Sequence, residues 1–232
     1  CRPQLILLSF LAFPLFWRLY ITERKLFTRK GAVEFACLIA PYIVVAAGIM
    51  LYNKMRFGSL TDFGANYTLT VNDMTKRGMN VGRLAPAIFT YFLQPPCVTG
   101  VFPFLQAVPF DTTYMGQTIK EVTFGGVLAC LPVLWVLPFA PRILKLRISQ
   151  RSTRTIMGVI VVLLASGVIA ALLDAEMAGI LQRYFADFSF MLLAAAVLLV
   201  FVVNENLVPG STMAQVFTKV LLALVAISVL YS

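Results

Sequence analysis

The chain has 232 residues, of which 60% are hydrophobic and only 12% are charged, and its net charge is +9. Soluble domains carry about 25% charged residues, so a soluble globule of this length does not accommodate such an apolar excess. The sequence contains no histidine, which excludes a His-based catalytic triad, a His-ligated haem and the usual His-containing zinc sites.

Uncharged stretches of membrane-spanning length recur along the sequence. About 20 helical residues cross a hydrocarbon core of about 30 Å. The charge spacing therefore predicts an all-α, polytopic integral membrane protein with about six transmembrane helices, at residues 3–20, 33–52, 122–141, 155–173, 187–203 and 212–231. We expect one transmembrane domain over 1–232, and the opening Cys-Arg-Pro-Gln indicates a fragment of a longer protein.

Basic residues predict the orientation of these spans. They cluster in two short loops, residues 21–32 and 142–154, which lie two spans apart and therefore on the same side of the membrane. The positive-inside rule makes that side cytoplasmic, and the basic excess then reflects orientation and anionic lipid. No basic and aromatic pattern typical of nucleic-acid binding is present, so we expect membrane lipids as partners and no nucleic acid.

The segment 53–120 is then external and far longer than a connection requires. Its stretch NVGRLAPAIFTYFLQPP places apolar residues on one helical stripe and ends at Pro95 and Pro96, which stop a helix. The following VFPFLQAVPF combines aromatic residues with proline. Both stretches predict interfacial structure lying along the membrane surface.

The start of this external segment carries the first candidate site. Tyr52 and the nearby phenylalanines fit the headgroup boundary, and Gly58 and Gly64 permit tight turns. Arg56 and Asp62 then approach a ligand at the membrane surface, or act only as solvated charges beside an aromatic anchor.

The second candidate site lies in DAEMAGILQRYFADFSF. Arg183 and Asp187 are four residues apart and share a helical face, with Tyr184 between them. Arg183 can bind a phosphate with two parallel hydrogen bonds; the alternative is a local Arg–Asp pair. Asp174 and Glu176 open this stretch in a predicted turn. They resemble a catalytic or metal-binding carboxylate pair, but we expect two exposed, solvated acids.

Three stretches together resemble the latter half of bacterial C-type polytopic glycosyltransferases, the group of protein mannosyltransferases and aminoarabinose transferases. They are YNKMRFGSLTDFGANYTLT, FLQPPCVTGVFPF and QRYFADFSFMLL. The resemblance implies transfer of a sugar from a polyprenyl-phosphate donor at the external face of a bacterial plasma membrane. In that family the catalytic carboxylate lies in a first external loop, to which nothing in this chain corresponds.

Such a reaction needs a cation for the lipid phosphate at headgroup level, and Arg56, Arg83 and Arg183 are all predicted there. A carboxylate must deprotonate the acceptor hydroxyl, and we leave that base unassigned. No cofactor is expected; a divalent metal is optional for this chemistry and has no support in the sequence.

Two other classes of function remain open. A transporter or lipid flippase usually places ionisable residues near the bilayer midplane, whereas here the predicted span interiors hold no acidic residue. A non-catalytic membrane scaffold fits the missing base, but it does not explain the long aromatic external segment.

Topology is directly testable. Single cysteines introduced near Arg147 are expected to be shielded from an impermeant external thiol reagent, because the basic loop is cytoplasmic, whereas cysteines near Thr75 are expected to react. The measurement is labelling of intact cells, and the reverse pattern would overturn the orientation.

Overall fold

A computed structural model describes residues 3–17, 21, 23–64, 81–102, 104–114, 117–139 and 151–231. The predicted loop residues 142–150, the end of the first predicted span at 18–20 and the external residues 65–80 lie outside the described residues. The chain divides into two compact units. One comprises Leu15–Arg77, and the other comprises Cys1–Pro14 together with Gly78–Ser232.

The first unit consists mainly of one long helix, α2 (Arg29–Phe57), which follows the short helix α1 (Ala12–Trp17) along the chain. Thr28 begins α2 because its side-chain oxygen accepts a hydrogen bond from the N–H of Gly31, 3.1 Å away. Gly58 ends the helix in the left-handed conformation (φ 75°) that a residue without a Cβ adopts at little cost. The predicted span 33–52 lies inside α2.

Three further long helices belong to the second unit: α5 (Arg151–Ala178), α6 (Phe185–Asn206) and α7 (Thr212–Tyr231). They contain the spans predicted at 155–173, 187–203 and 212–231. Together with α2, they give the described part of the chain four helices whose length and composition suffice to cross a membrane. The mainly helical character predicted from the sequence is therefore confirmed, and the four helices fit a multi-pass membrane protein.

The other two predicted spans have a different form. In the first predicted span, residues Pro3–Leu11 form a 3₁₀ helix that leads into α1. The third predicted span, 122–141, is divided between α4 (Val127–Cys130) and a 3₁₀ helix, Pro132–Phe139. The break falls at Leu131 because the residue before a proline is driven out of the helical region. Each segment is shorter than a regular α-helical span, and the count of six remains a prediction.

The predicted interfacial stretch forms an irregular helical segment. A 3₁₀ turn (Val81–Arg83), α3 (Leu84–Ile88) and a π-helical turn (Phe89–Leu93) follow one another and end before Pro95. Ala87, Thr90 and Tyr91 are buried, whereas most of the predicted apolar stripe is exposed on the other side.

Two small antiparallel hairpins follow, which the sequence did not predict. Strands β1 (Cys97–Val98) and β2 (Leu105–Gln106) form the first, and β3 (Val108–Tyr114) and β4 (Gln117–Thr123) form the second. Threonine, isoleucine and valine are frequent in β3 and β4, and these β-branched residues favour strands. The third predicted span, 122–141, therefore starts too early, because its first two residues belong to β4.

The core of the second unit lies between α5 and α6. Small buried side chains let the two helices approach closely; they include Ala170, Ala171, Ala175, Ala195 and Ala196. A Cβ added at Gly167 would lie 2.9 Å from the side chain of Leu192. On another side of α5, the hydroxyl of Ser166 donates to the carbonyl of Leu7 over 3.3 Å, which ties the N-terminal segment to this pair.

Gly126 marks the closest backbone approach around the π-helical turn. Its N–H donates to the carbonyl oxygen of Gln94 over 2.8 Å. A Cβ at this position would lie 2.6 Å from the carbonyl carbon of Phe92 and 2.8 Å from the amide nitrogen of Gln94. Because both are backbone atoms, no side-chain rotation relieves the contact.

We expect Gly126→Ala to destabilise the protein by about 1–3 kcal/mol, as overpacking does in a tight site. Gly126 has φ −74°, which alanine adopts freely, so the loss isolates the steric effect. Gly100→Ala is the control, because a Cβ there meets nothing within 4 Å. Thermal unfolding in detergent measures both variants, and equal melting temperatures would refute the close approach.

Candidate functional site

The first part of this candidate motif lies in the last turns of α2. Arg56 donates from Nη1 to the hydroxyl of Tyr52 over 2.6 Å. Its guanidinium lies 5.2 Å from the ring centre of Phe57 and 5.8 Å from that of Tyr52. Two rings of its own helix thus hold the Arg56 charge at the surface.

Asp62 closes the next turn. Its Oδ1 accepts a hydrogen bond from the N–H of Gly64 over 2.8 Å, and Gly64 has φ 85°. Asn53 is buried and donates to the carbonyl of Leu60 over 3.4 Å. These contacts give the motif residues a local structural role, and Arg56 and Asp62 lie in the first compact unit.

The junction between α5 and α6, residues 174–187, holds three buried carboxylates. Asp174 is 0% exposed, Glu176 is 3% exposed and Asp187 is 7% exposed. The expectation that Asp174 and Glu176 are exposed acids in a turn is therefore wrong. Helix α5 continues to Ala178 and ends at Gly179 (φ 90°), so both acids lie in its last turns. Gln4 donates from Nε2 to Oδ1 of Asp174.

Arg83 lies at the end of this helix. Its Nη1 donates to the carbonyl oxygen of Glu176 over 3.4 Å. The last four carbonyls of a helix lack intrahelical partners and carry partial negative charge, so a guanidinium is favourable there. Arg83, predicted as a phosphate ligand, thus uses one of its donors to cap α5.

Tyr91 fixes the chain between the two helices. Its buried hydroxyl accepts a hydrogen bond from the N–H of Leu181 over 3.0 Å. The same oxygen lies within donating distance of the carbonyl oxygens of Gly179 (3.3 Å) and Leu181 (3.4 Å). The ring packs edge-on against Phe185, with ring centres 5.3 Å apart, and in a tilted arrangement against Phe188, with ring centres 5.1 Å apart. The sequence did not predict a role for Tyr91, because nothing in its pattern distinguishes it from the other aromatic residues of this segment.

Arg183 and Tyr184 form the outer surface of the junction. The exposed guanidinium of Arg183 lies 5.3 Å from the ring centre of the half-buried Tyr184. Asp187 is in the first turn of α6, where the helix dipole favours a negative charge. The structure therefore brings Arg183 onto Tyr184, while the other member of the predicted Arg–Asp pair is buried.

The arrangement combines buried carboxylates with one exposed and one half-buried arginine at one end of α5 and α6. Among the residues that the structure describes, no group of three potential ligands is placed to hold a metal ion. The junction thus offers hydrogen-bonding and charged groups for a polar ligand. Comparisons of this chain with models of protein families, with curated proteins and with solved structures find no match.

Replacing Tyr91 with phenylalanine tests the central contact of the junction. The ring packing is retained, but the buried N–H of Leu181 loses its acceptor, which costs about 1–3 kcal/mol. We expect a lower melting temperature and faster hydrogen exchange at the amide of Leu181. Tyr42→Phe is the control: Tyr42 is 72% exposed, and the change is expected to stay within about 0.5 kcal/mol. Equal stability of the two variants would contradict the anchoring role.

Proposed function

We propose that this chain is part of a C-type membrane glycosyltransferase of a bacterial plasma membrane. It binds a polyprenyl-phosphate-linked sugar, and the complete protein transfers that sugar to an acceptor at the external membrane face. In this proposal the two predicted basic loops are cytoplasmic, the segment 53–120 is external, and six spans hold the chain in the bilayer.

The observation that carries the proposal is the position of the ionisable side chains. Helix α5 is uncharged from Thr155 to Leu173, and α6 is uncharged from Phe188 to Val203. Charged groups gather where the two helices meet, at the ends of the two candidate membrane spans rather than in their middle. A lipid phosphate lies at this level, because its chain stays in the hydrocarbon while its headgroup stays in the interface.

Arg183 is the proposed phosphate ligand. Its guanidinium is exposed, and the Tyr184 ring beneath it limits its orientations, so little freedom is lost when a phosphate binds. Arg83 contributes positive charge from the capped end of α5. Arg56 and Asp62 remain candidates in the other compact unit, where both already hold their own turn.

A transporter or lipid flippase is the second candidate function. The burial of Asp174 and Glu176 within α5 favours it, because buried acids at membrane depth are typical of ion and proton pathways. The two functions differ in what the carboxylates do. In the transferase they stabilise the structure of the junction, whereas in a transporter they exchange protons or ions during transport.

Substitution of Arg183 tests the phosphate site in the complete protein reconstituted in lipid. Removing a charge-assisted hydrogen bond costs about 1.5–3 kcal/mol, so Arg183→Ala is expected to weaken binding of the polyprenyl-phosphate sugar by about 10–100-fold. Arg183→Lys keeps the charge but loses the planar fork, and we expect a smaller loss. Thermal stability should change little, because the side chain is exposed.

Arg29→Ala is the matched control, since it removes an exposed arginine from the predicted cytoplasmic side. Unchanged binding of the polyprenyl-phosphate sugar in both Arg183 variants would rule out Arg183 as a phosphate ligand. Asp174→Asn distinguishes the rival: loss of proton-coupled uptake with intact lipid binding would establish a transporter instead.

A further inference from the structure

Residues 84–102 and 104 of the second unit expose many large apolar side chains, some on the helical segment and others at the β1–β2 hairpin. We refer to these exposed side chains together as the apolar surface. Its exposed members are Ile88, Phe89, Leu93, Val98, Val101, Phe102 and Phe104. The sequence carries no charged residue between Arg83 and Asp111, so this surface has no ionic side chain of its own.

The hairpin tip displays its aromatic residues through a closed turn. The N–H of Phe104 donates to the carbonyl of Val101 over 2.8 Å, and the N–H of Thr99 donates to the carbonyl of Phe104 over 2.7 Å. Phe104 has φ 69°, a conformation that is costly for a bulky side chain. The Phe102 and Phe104 rings pack edge-on at 5.9 Å, and Phe102 is 82% exposed.

Contacts on the inner side of the helical segment fix its level relative to the ends of α5 and α6. On its inner side, Tyr91 bonds the backbone at Gly179 and Leu181, and Arg83 bonds the carbonyl of Glu176. The candidate membrane span in α5 ends at Glu176, and the next candidate span begins at Gln182, just before α6. The helical segment is thus held at the level where two membrane-length helices leave the hydrocarbon.

We propose that the β1–β2 hairpin inserts the exposed side chains of its tip, Val101, Phe102 and Phe104, into the lipid bilayer at the membrane surface where α5 and α6 end. A charge-free aromatic surface at this depth meets the headgroup and upper acyl region, where aromatic side chains are stabilised. The bilayer is the occupant because the long helices of the same unit already require it there. This inference concerns membrane contact, and it stands whether or not the chain serves a glycosyltransferase.

Tryptophan fluorescence tests the insertion. The two native tryptophans, Trp17 and Trp135, are replaced with phenylalanine, and Phe102→Trp is introduced at the tip. The matched control is Gln106→Trp, at the exposed base of the same hairpin. Each protein is reconstituted into phosphatidylcholine–phosphatidylglycerol vesicles, with or without phosphatidylcholine brominated in the upper acyl chain.

We expect tryptophan at position 102 to emit at shorter wavelength and to lose more fluorescence to the brominated lipid than tryptophan at position 106. Quenching of both by an aqueous quencher, with none by the brominated lipid, would overturn the proposal. A blue-shifted emission at position 102 that brominated lipid leaves unchanged would also overturn it, because a second copy or another protein surface would then cover the tip. Stronger lipid quenching at position 106 than at 102 would contradict the direction of insertion.

Discussion

The hydroxyl of Tyr91 holds together parts of the chain that are about ninety residues apart, by bonding the backbone between α5 and α6 at Gly179 and Leu181. Backbone groups at a helix end need partners, and the need is greater where water is scarce. One buried oxygen supplies both a donor and an acceptor here. The helical segment around α3 is thereby fixed to the two apolar helices, and the first hairpin, which follows that segment along the chain, starts from this fixed point.

The same constraint shapes the charged groups of the junction. Helix α5 continues to Ala178 and carries Asp174 and Glu176 into the protein interior. Burying carboxylates is costly unless donors or dipoles compensate. Gln4 supplies a donor to Asp174, and the N-terminus of α6 supplies a favourable dipole to Asp187. The exposed Arg183 lies on the outer side of the junction, where a ligand can reach its guanidinium.

The long helices were predictable because their signal is local: uncharged stretches bounded by charge clusters specify α2, α5, α6 and α7. The burial of Asp174 and Glu176 was not predictable, because the contacts of the distant Tyr91 and the turn at Gly179 determine where α5 ends. The two hairpins were not predicted because their strands are short, and because the apolar sequence around them indicated interfacial and membrane-spanning structure more strongly than their β-branched residues indicated strands. The turn closed by Asp62 was likewise not predictable. An aspartate that accepts a hydrogen bond from a backbone N–H two residues later has the same sequence pattern as one that binds a ligand.

The 3₁₀ form of Pro3–Leu11 changes how far a short apolar stretch reaches. A 3₁₀ helix rises about 2.0 Å per residue and an α-helix about 1.5 Å, so the nine residues extend about 18 Å instead of about 14 Å. The gain is obtained by tightening the helix, with poorer hydrogen-bond geometry along its length. The same number of residues therefore covers more of the hydrocarbon thickness in the 3₁₀ form, and thickness matched within the backbone is not demanded of the adjacent lipid.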